Sequence, residues 1–265
     1  DFSQWGPHYP YGIAKETRVA SVTNCSNMEY EVYTPYVTDP PVVVLAHGFA
    51  RGSEVMSGWA EHLSSWGVEV LLPTLCHYNV FTGVDHEMNG QNMKELAYQH
   101  TPQGVVYAGH SAGGLAAIIA AAQDSDTVGI LGLDTTDTEG VPTVADFIGL
   151  EYADVITSPS FSILGEPSSC NSNNNGLELF KRMPEYRAIQ VSGADHCDFE
   201  NPTDFICELS CESETSEYSD EEIRLVVLNL GTAAILSLHG SSDGSYVWSA
   251  DGLNNWISSG LIQEK

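Results

Sequence analysis

Gly109-His110-Ser111-Ala112-Gly113 sets one serine between two glycines, behind the apolar run GVVYAG and ahead of AGGLAAIIAAAQ. A serine in the sharp turn between a strand and a helix is lifted clear of the sheet. Glycines two residues before and two after leave room for the backbone packed against it. Such a hydroxyl is a candidate nucleophile; the bland alternative is a glycine-rich turn with a serine in solvent. The next N–H, of Ala112, points into the same space, and the start of the helix adds its positive end.

A serine hydroxyl is a weak nucleophile until a base takes its proton. His196, in VSGADHCDFENP, is the only histidine after the late apolar runs and before the last long helical pattern, so it is the candidate base. His110 packs inside the turn, where it also borders the substrate, and His47 orients backbone in its own loop. The base needs a carboxylate to hold its tautomer. Asp134, closing GILGLD, is the favoured acid; Glu166, closing SFSILGE, is the alternative, and Asp137 is a weaker one. Developing negative charge on a substrate oxygen needs two donors. Ala112 N–H supplies one, and Phe49 N–H, made approachable by Gly48 in HGFARG, supplies the other. Phe49, His77, Tyr78, Phe81 and Phe199 offer apolar and aromatic walls, with Phe49, His110, Tyr78 and Phe199 expected to touch substrate.

These residues need a frame. PVVVLA (41–46), VEVLLP (68–73), GVVYAG (104–109), VGILGLD (128–134), SFSILGE (160–166) and RAIQVSG (187–193) are nearly continuous apolar runs, as expected of strands buried on both faces. MEYEVYTP (28–35) alternates and reads as an exposed antiparallel strand. Helical patterns fill 54–65, 87–100 and 112–123. SDEEIRLVVLNLGTAAILSLHG (219–240) begins at Ser219 with acids in its first turn and stops at Gly240. Strands alternating with helices predict an α/β fold with a mostly parallel sheet covered on both sides. Ligands in such sheets sit beyond the carboxyl ends of the strands, where the candidate residues fall. The tail SYVWSADGLNNWISSGLIQEK either packs back or forms a contact.

The chain of 265 residues, 42% hydrophobic, has enough apolar material for one sizeable core. Nine Lys and Arg against 36 Asp and Glu give a net charge of −27, a field that repels nucleic acid and anionic membranes. Such a surface fits either ordinary solubility or a salt-rich habitat. No apolar run reaches the ~18 residues of a membrane-spanning helix, and DFSQWGPHYP reads as a processed or truncated end rather than a signal peptide. Six cysteines (Cys25, Cys76, Cys170, Cys197, Cys207 and Cys211) point to disulfides and export. Zinc is the competing reading, through CELSC and DHC, but no CxxC pair or HExxH is present. No metal or cofactor is expected.

VVVLAHGFARGSE, YAGHSAGGLAA, GILGLDTTD, ILGEPSSCN and GADHCDFENP together resemble the α/β-hydrolase fold, and within it the chlorophyllase and polyester-hydrolase (cutinase, PET hydrolase) branch. The likeness runs from about Tyr30 to the last long helix, with no large cap domain. It implies one domain over residues 1–265. It puts the nucleophile on Ser111, the base on His196 and the oxyanion donors on Phe49 and Ala112. The branches differ over the acid. Gly132-Leu133-Asp134 matches the chlorophyllase segment, whereas the polyester-hydrolase position falls near Ser168, two residues after Glu166. Thr135 and Thr136 stand where polyester hydrolases carry a tryptophan, and Ala112 replaces the usual basic residue of chlorophyllases, whose own activity is not expected. Some polyester hydrolases join the acid loop to the histidine loop by a disulfide. Cys170 and Cys197 are placed to do the same, with Cys207 and Cys211 as competitors, which leaves Cys25 and Cys76 as a pair.

The expectation is a secreted or periplasmic monomeric serine esterase acting on a small or polymeric ester. An acyltransferase or a non-polymer esterase is the alternative, and a non-catalytic binding protein on the same fold is the remote one.

Overall fold

The computed structural model describes residues 10–79, 83–138, 147–211 and 218–265. In chain order the elements are β1 (Ile13–Val22), β2 (Cys25–Pro35), β3 (Val42–Ala46), a 3-10 turn (Ser53–Met56), α1 (Ser57–Ser65), β4 (Glu69–Pro73), β5 (Tyr78–Asn79), β6 (Gly83–Val84), α2 (His86–His100), β7 (Val106–His110), α3 (Ala112–Gln123) and β8 (Gly129–Leu133). There follow α4 (Leu150–Ala153), β9 (Ser160–Leu164), α5 (Leu177–Phe180), β10 (Tyr186–Val191), a 3-10 turn (His196–Phe199), α6 (Phe205–Cys211), α7 (Asp220–Leu238), α8 (Ser242–Val247), α9 (Ala250–Ser258) and β11 (Ile262–Glu264).

One nine-stranded sheet runs in the order β1-β2-β4-β3-β7-β8-β9-β10-β11; β5 and β6 form a separate small ribbon. From β4 to β10 all neighbours are parallel, while β1, β2 and β11 pair antiparallel at the edges. This mixed, mostly parallel α/β sheet with flanking helices is compatible with an α/β-hydrolase-like fold.

The continuous apolar runs have a direct cause. Along β3, Val43 and Leu45 join one core layer with Trp59 and Leu63 of α1 and Leu230 of α7. Val42, Val44 and Ala46 join the other, with Met93 of α2 and Leu115 and Ile119 of α3. Successive side chains of a strand point to opposite faces, so a strand with helices on both sides has no position left for a polar residue. The first strand, β1, escapes this pattern: most of it is exposed, and its IAKETRVASV carries no strong periodic signal. It forms instead as the hairpin partner of β2, turning at Thr23-Asn24 with Asn24 in the left-handed region (φ 57°).

Ser219 caps α7 reciprocally with Glu222, as its sequence foretells. The tail packs back. Trp248 and Trp256 are buried, Trp248 Nε1 donates to the Leu230 carbonyl at 3.0 Å, and β11 extends the sheet beside β10. Among the described residues no helix is long and apolar enough to cross a membrane.

Candidate functional site

Ser111 follows β7 and caps α3 with φ 56° and ψ −124°, a backbone conformation that residues other than glycine rarely adopt. The turn is packed from below. A Cβ on Gly109 would overlap the Gly113 carbonyl, and one on Gly113 would overlap the His47 carbonyl oxygen. Ser111 N donates to the Leu133 carbonyl at 2.9 Å, and Thr136 N donates to the Ser111 carbonyl at 3.2 Å. The serine turn is thus laced to the end of β8, which delivers Asp134.

Asp134 is fully buried, also with a positive φ (45°). Its Oδ2 accepts from His196 Nδ1 at 2.6 Å and from Asn171 Nδ2 at 3.1 Å; its Oδ1 accepts from Gly165 N at 2.9 Å. An ionised carboxylate only accepts, so His196 carries its proton on Nδ1 and keeps Nε2 as the nitrogen able to take one. Glu166, the alternative acid, faces elsewhere. Its two oxygens accept from Gln190 Nε2 at 2.5 Å and Gly193 N at 3.2 Å, which ties down the chain leading to His196. The Asp137 carboxylate accepts from Gly149 N. Ser168 donates its N–H to Asn171 Oδ1 at 2.8 Å.

His196 begins a 3-10 turn capped by Asp195, whose Oδ1 accepts from Cys197 N at 2.8 Å, while Asp198 reaches back to Asp195 N at 3.0 Å. The His196 ring lies 4.5 Å from that of His110, the residue before Ser111. His110 is buried between His196 and Phe199, and both its ring nitrogens lack hydrogen-bond partners among the described residues. Burial, reinforced by the neighbouring His196, pushes its pKa well below the ordinary value, so it is neutral.

His47 explains the geometry of the Phe49 amide. Leu75 N donates to its Nε2 at 3.0 Å, so Nδ1 carries the proton and donates to the Gly48 carbonyl at 2.9 Å. Burial lowers its pKa to about 4, which keeps it in this neutral form. The Gly48 carbonyl and the Phe49 N–H belong to one planar trans peptide, so fixing the carbonyl directs the N–H the opposite way. Phe49 and Ala112 line one small cavity, and neither backbone N–H has an acceptor among the described residues. The two amides can therefore receive an anionic oxygen.

Several expected wall residues lie elsewhere. Phe199 is fully buried, packed against His110 and close to Gly165, and His110 is almost as deep, so neither offers surface to a substrate. Both are packed inward because the histidine loop folds down onto the serine turn. Phe49 is half-buried and Tyr78 lines the cavity with it. Phe81 lies outside the described residues.

The cysteines pair as Cys25–Cys76, Cys170–Cys211 and Cys197–Cys207. This corrects the Cys170–Cys197 bridge implied by resemblance. Cys207 and Cys211 stand four residues apart on α6 and so share a face; one takes the histidine loop and the other the acid loop. The Sγ atoms of Cys197, Cys207 and Cys211 lie within 4.8 Å of one another. All three are engaged in disulfides, so they are not thiolate ligands for zinc.

Sequence reasoning missed the supports. Asn171 braces Asp134, and its own Oδ1 is held by Ser168 N and Asn174 N. Arg51, two residues after Phe49, grips the buried Glu200 with Nε at 2.8 Å and a terminal nitrogen at 2.6 Å, and also meets Asp204 at 2.8 Å. Burial raises the Glu200 pKa, and the Arg51 guanidinium offsets part of that rise. Nothing in CNSNNN or FARG distinguishes these from ordinary loop residues.

No family model matches the chain, and no curated protein matches it in sequence.

Proposed function

We propose that this chain is a serine carboxylic-ester hydrolase working through an acyl-enzyme. The observation that carries the reading is the 2.6 Å Asp134–His196 hydrogen bond at the strand ends, beside a serine strained at φ 56° at the head of a helix. Ser111 Oγ attacks the ester carbonyl carbon while His196 Nε2 takes the hydroxyl proton. The oxyanion of the tetrahedral intermediate accepts from the Phe49 and Ala112 N–H groups. Collapse re-forms the carbonyl and expels the alcohol, which leaves with the proton from His196. Water then gives a proton to His196 as it attacks the acyl-serine, and a second collapse returns the acid and free Ser111. Asp134 remains ionised, holding Nδ1–H and stabilising the imidazolium.

The resemblance to the chlorophyllase and polyester-hydrolase branch of the α/β-hydrolases makes cutinase-like cleavage of polyesters, PET included, the finer reading. Hydrolysis of small or lipid esters is its alternative. Three disulfides support a secreted or periplasmic setting.

Wild type and Ser111→Ala are to be compared on a short-chain nitrophenyl ester and on an amorphous aromatic polyester film. The variant is expected to fold and to lose roughly 10⁴-fold or more in kcat. Serine-dependent release from both substrates supports a polyesterase, and release from the soluble ester alone supports the small-ester reading. Turnover unchanged in Ser111→Ala refutes the assignment.

A further inference from the structure

A surface helix ordinarily holds its place by turning its apolar stripe to the core. The short helix α6 does the reverse. Its inward side is taken by Cys207 and Cys211, bonded to Cys197, the residue after the candidate base, and to Cys170, the residue before Asn171. Phe205 and Leu209 each stand two positions before one of these cysteines, about 200° away around the helix and so on the opposite side. They are 72% and 74% exposed, and among the described residues they are the only two exposed large hydrophobics one turn apart on a helix. Disulfides have replaced core packing as the anchor, and the apolar side is held outward beside the loops of Asp134 and His196.

The composition narrows what can cover that side. Residues 212–217, which follow α6, read ESETSE and bring no large apolar side chain to it. Glu208 is exposed between Phe205 and Leu209. The net charge of −27 sets copies of the chain against one another and repels anionic surfaces. An uncharged apolar surface remains. Because both side chains stand proud, a rigid solid meets only their tips, whereas a fluid surface closes round them and removes their full area from water.

We propose that Phe205 and Leu209 dock this protein on the fluid, uncharged surface of an ester lipid, of the triacylglycerol-droplet kind, with Glu208 kept in the water at its edge. Delivery of substrate from that surface to Ser111 rests on the esterase reading above; the docking itself is measured without turnover.

The test floats the full chain carrying Ser111→Ala with triacylglycerol droplets coated in phosphatidylcholine. The protein is expected to partition onto them. Adding Phe205→Ser and Leu209→Ser is expected to lower the partition on the order of 100-fold, the worth of two such side chains leaving an apolar phase. Anionic phosphatidylglycerol in the coat is expected to weaken the partition, and strengthening by it overturns the choice of an uncharged surface. With Ser111 intact, Phe205→Ser/Leu209→Ser is expected to melt as the wild type does and to hydrolyse a soluble nitrophenyl ester at the same rate, while losing rate on the droplets. No partition of the Ser111→Ala protein, or an equal partition with and without the two serines, overturns the docking surface. So does a loss of binding confined to a polyester film, which makes the occupant a solid. Ser111-dependent hydrolysis of the soluble ester beside any of these failures leaves the esterase reading standing. Absence of that hydrolysis with the partition intact removes the esterase reading and keeps the docking.

Discussion

Ser111 and His196 both stand at the carboxyl end of the sheet, but they are held there by different means. The serine turn is fixed by backbone: glycines that admit no Cβ, a peptide bonded to β8, and a helix that starts at the next residue. The histidine loop is fixed from outside. Trp59 Nε1 donates to the Phe199 carbonyl at 3.0 Å, Gly58 N donates to the Asn201 carbonyl and Asn201 N to the Val55 carbonyl, each at 2.7 Å, Arg51 grips Glu200, and two disulfides through α6 tie it to the acid loop. A local turn can be specified by a pentapeptide. A loop that must bring a base to a serine 85 positions earlier needs tethers drawn from several parts of the chain.

Breaking each region should therefore feel different. Gly113→Ala puts a Cβ into the His47 carbonyl, and backbone on both sides cannot yield, so a loss of more than about 4 kcal/mol in unfolding free energy is expected. A stable, fully active Gly113→Ala protein would show that sterics do not hold the turn. Glu200→Ala leaves Arg51 with only the exposed side of its ion-pair cluster. Because Glu200 is 1% exposed, about 3 kcal/mol should be lost in denaturant titration, together with a lower kcat as the histidine loop loosens. An unchanged kcat beside the stability loss would confine the clamp to folding. The double change Cys197→Ser with Cys207→Ser opens a bridge spanning 10 residues, and costs about 2 kcal/mol. Its melting curve separates a tether that matters to the loop from one made redundant by Arg51 and Trp59.

Much of the fold was legible because burial on both faces leaves a plain mark. The runs that form β3, β4, β7, β8, β9 and β10 are apolar throughout, and Ser219 announces α7. The exposed strand β1, the three-residue β11 and the short α8 and α9 carried no such mark, since hairpin pairing or packing of isolated tryptophans made them. At the site, the serine pentapeptide and the positions after each strand could be read directly. The choice between Asp134 and Glu166 could not be closed that way. Asp134 follows β8 and Glu166 follows β9, and both are acidic; only the 2.6 Å contact of Asp134, and the bonds of Glu166 to Gln190 and Gly193, separate them.

By itself, then, the sequence determined what is local: a strained serine between glycines, an alternation of buried strands and helices, a capped last long helix, and an acidic surface. These depend on residues within a few positions of one another, where sterics and periodicity act. Tertiary structure alone decided which carboxylate meets His196, which cysteines pair, that His110 and Phe199 face inward, and that the tail closes one edge of the sheet. Each of those choices is set by distances between residues tens of positions apart, which depend on how the loops pack and leave no trace in composition or spacing.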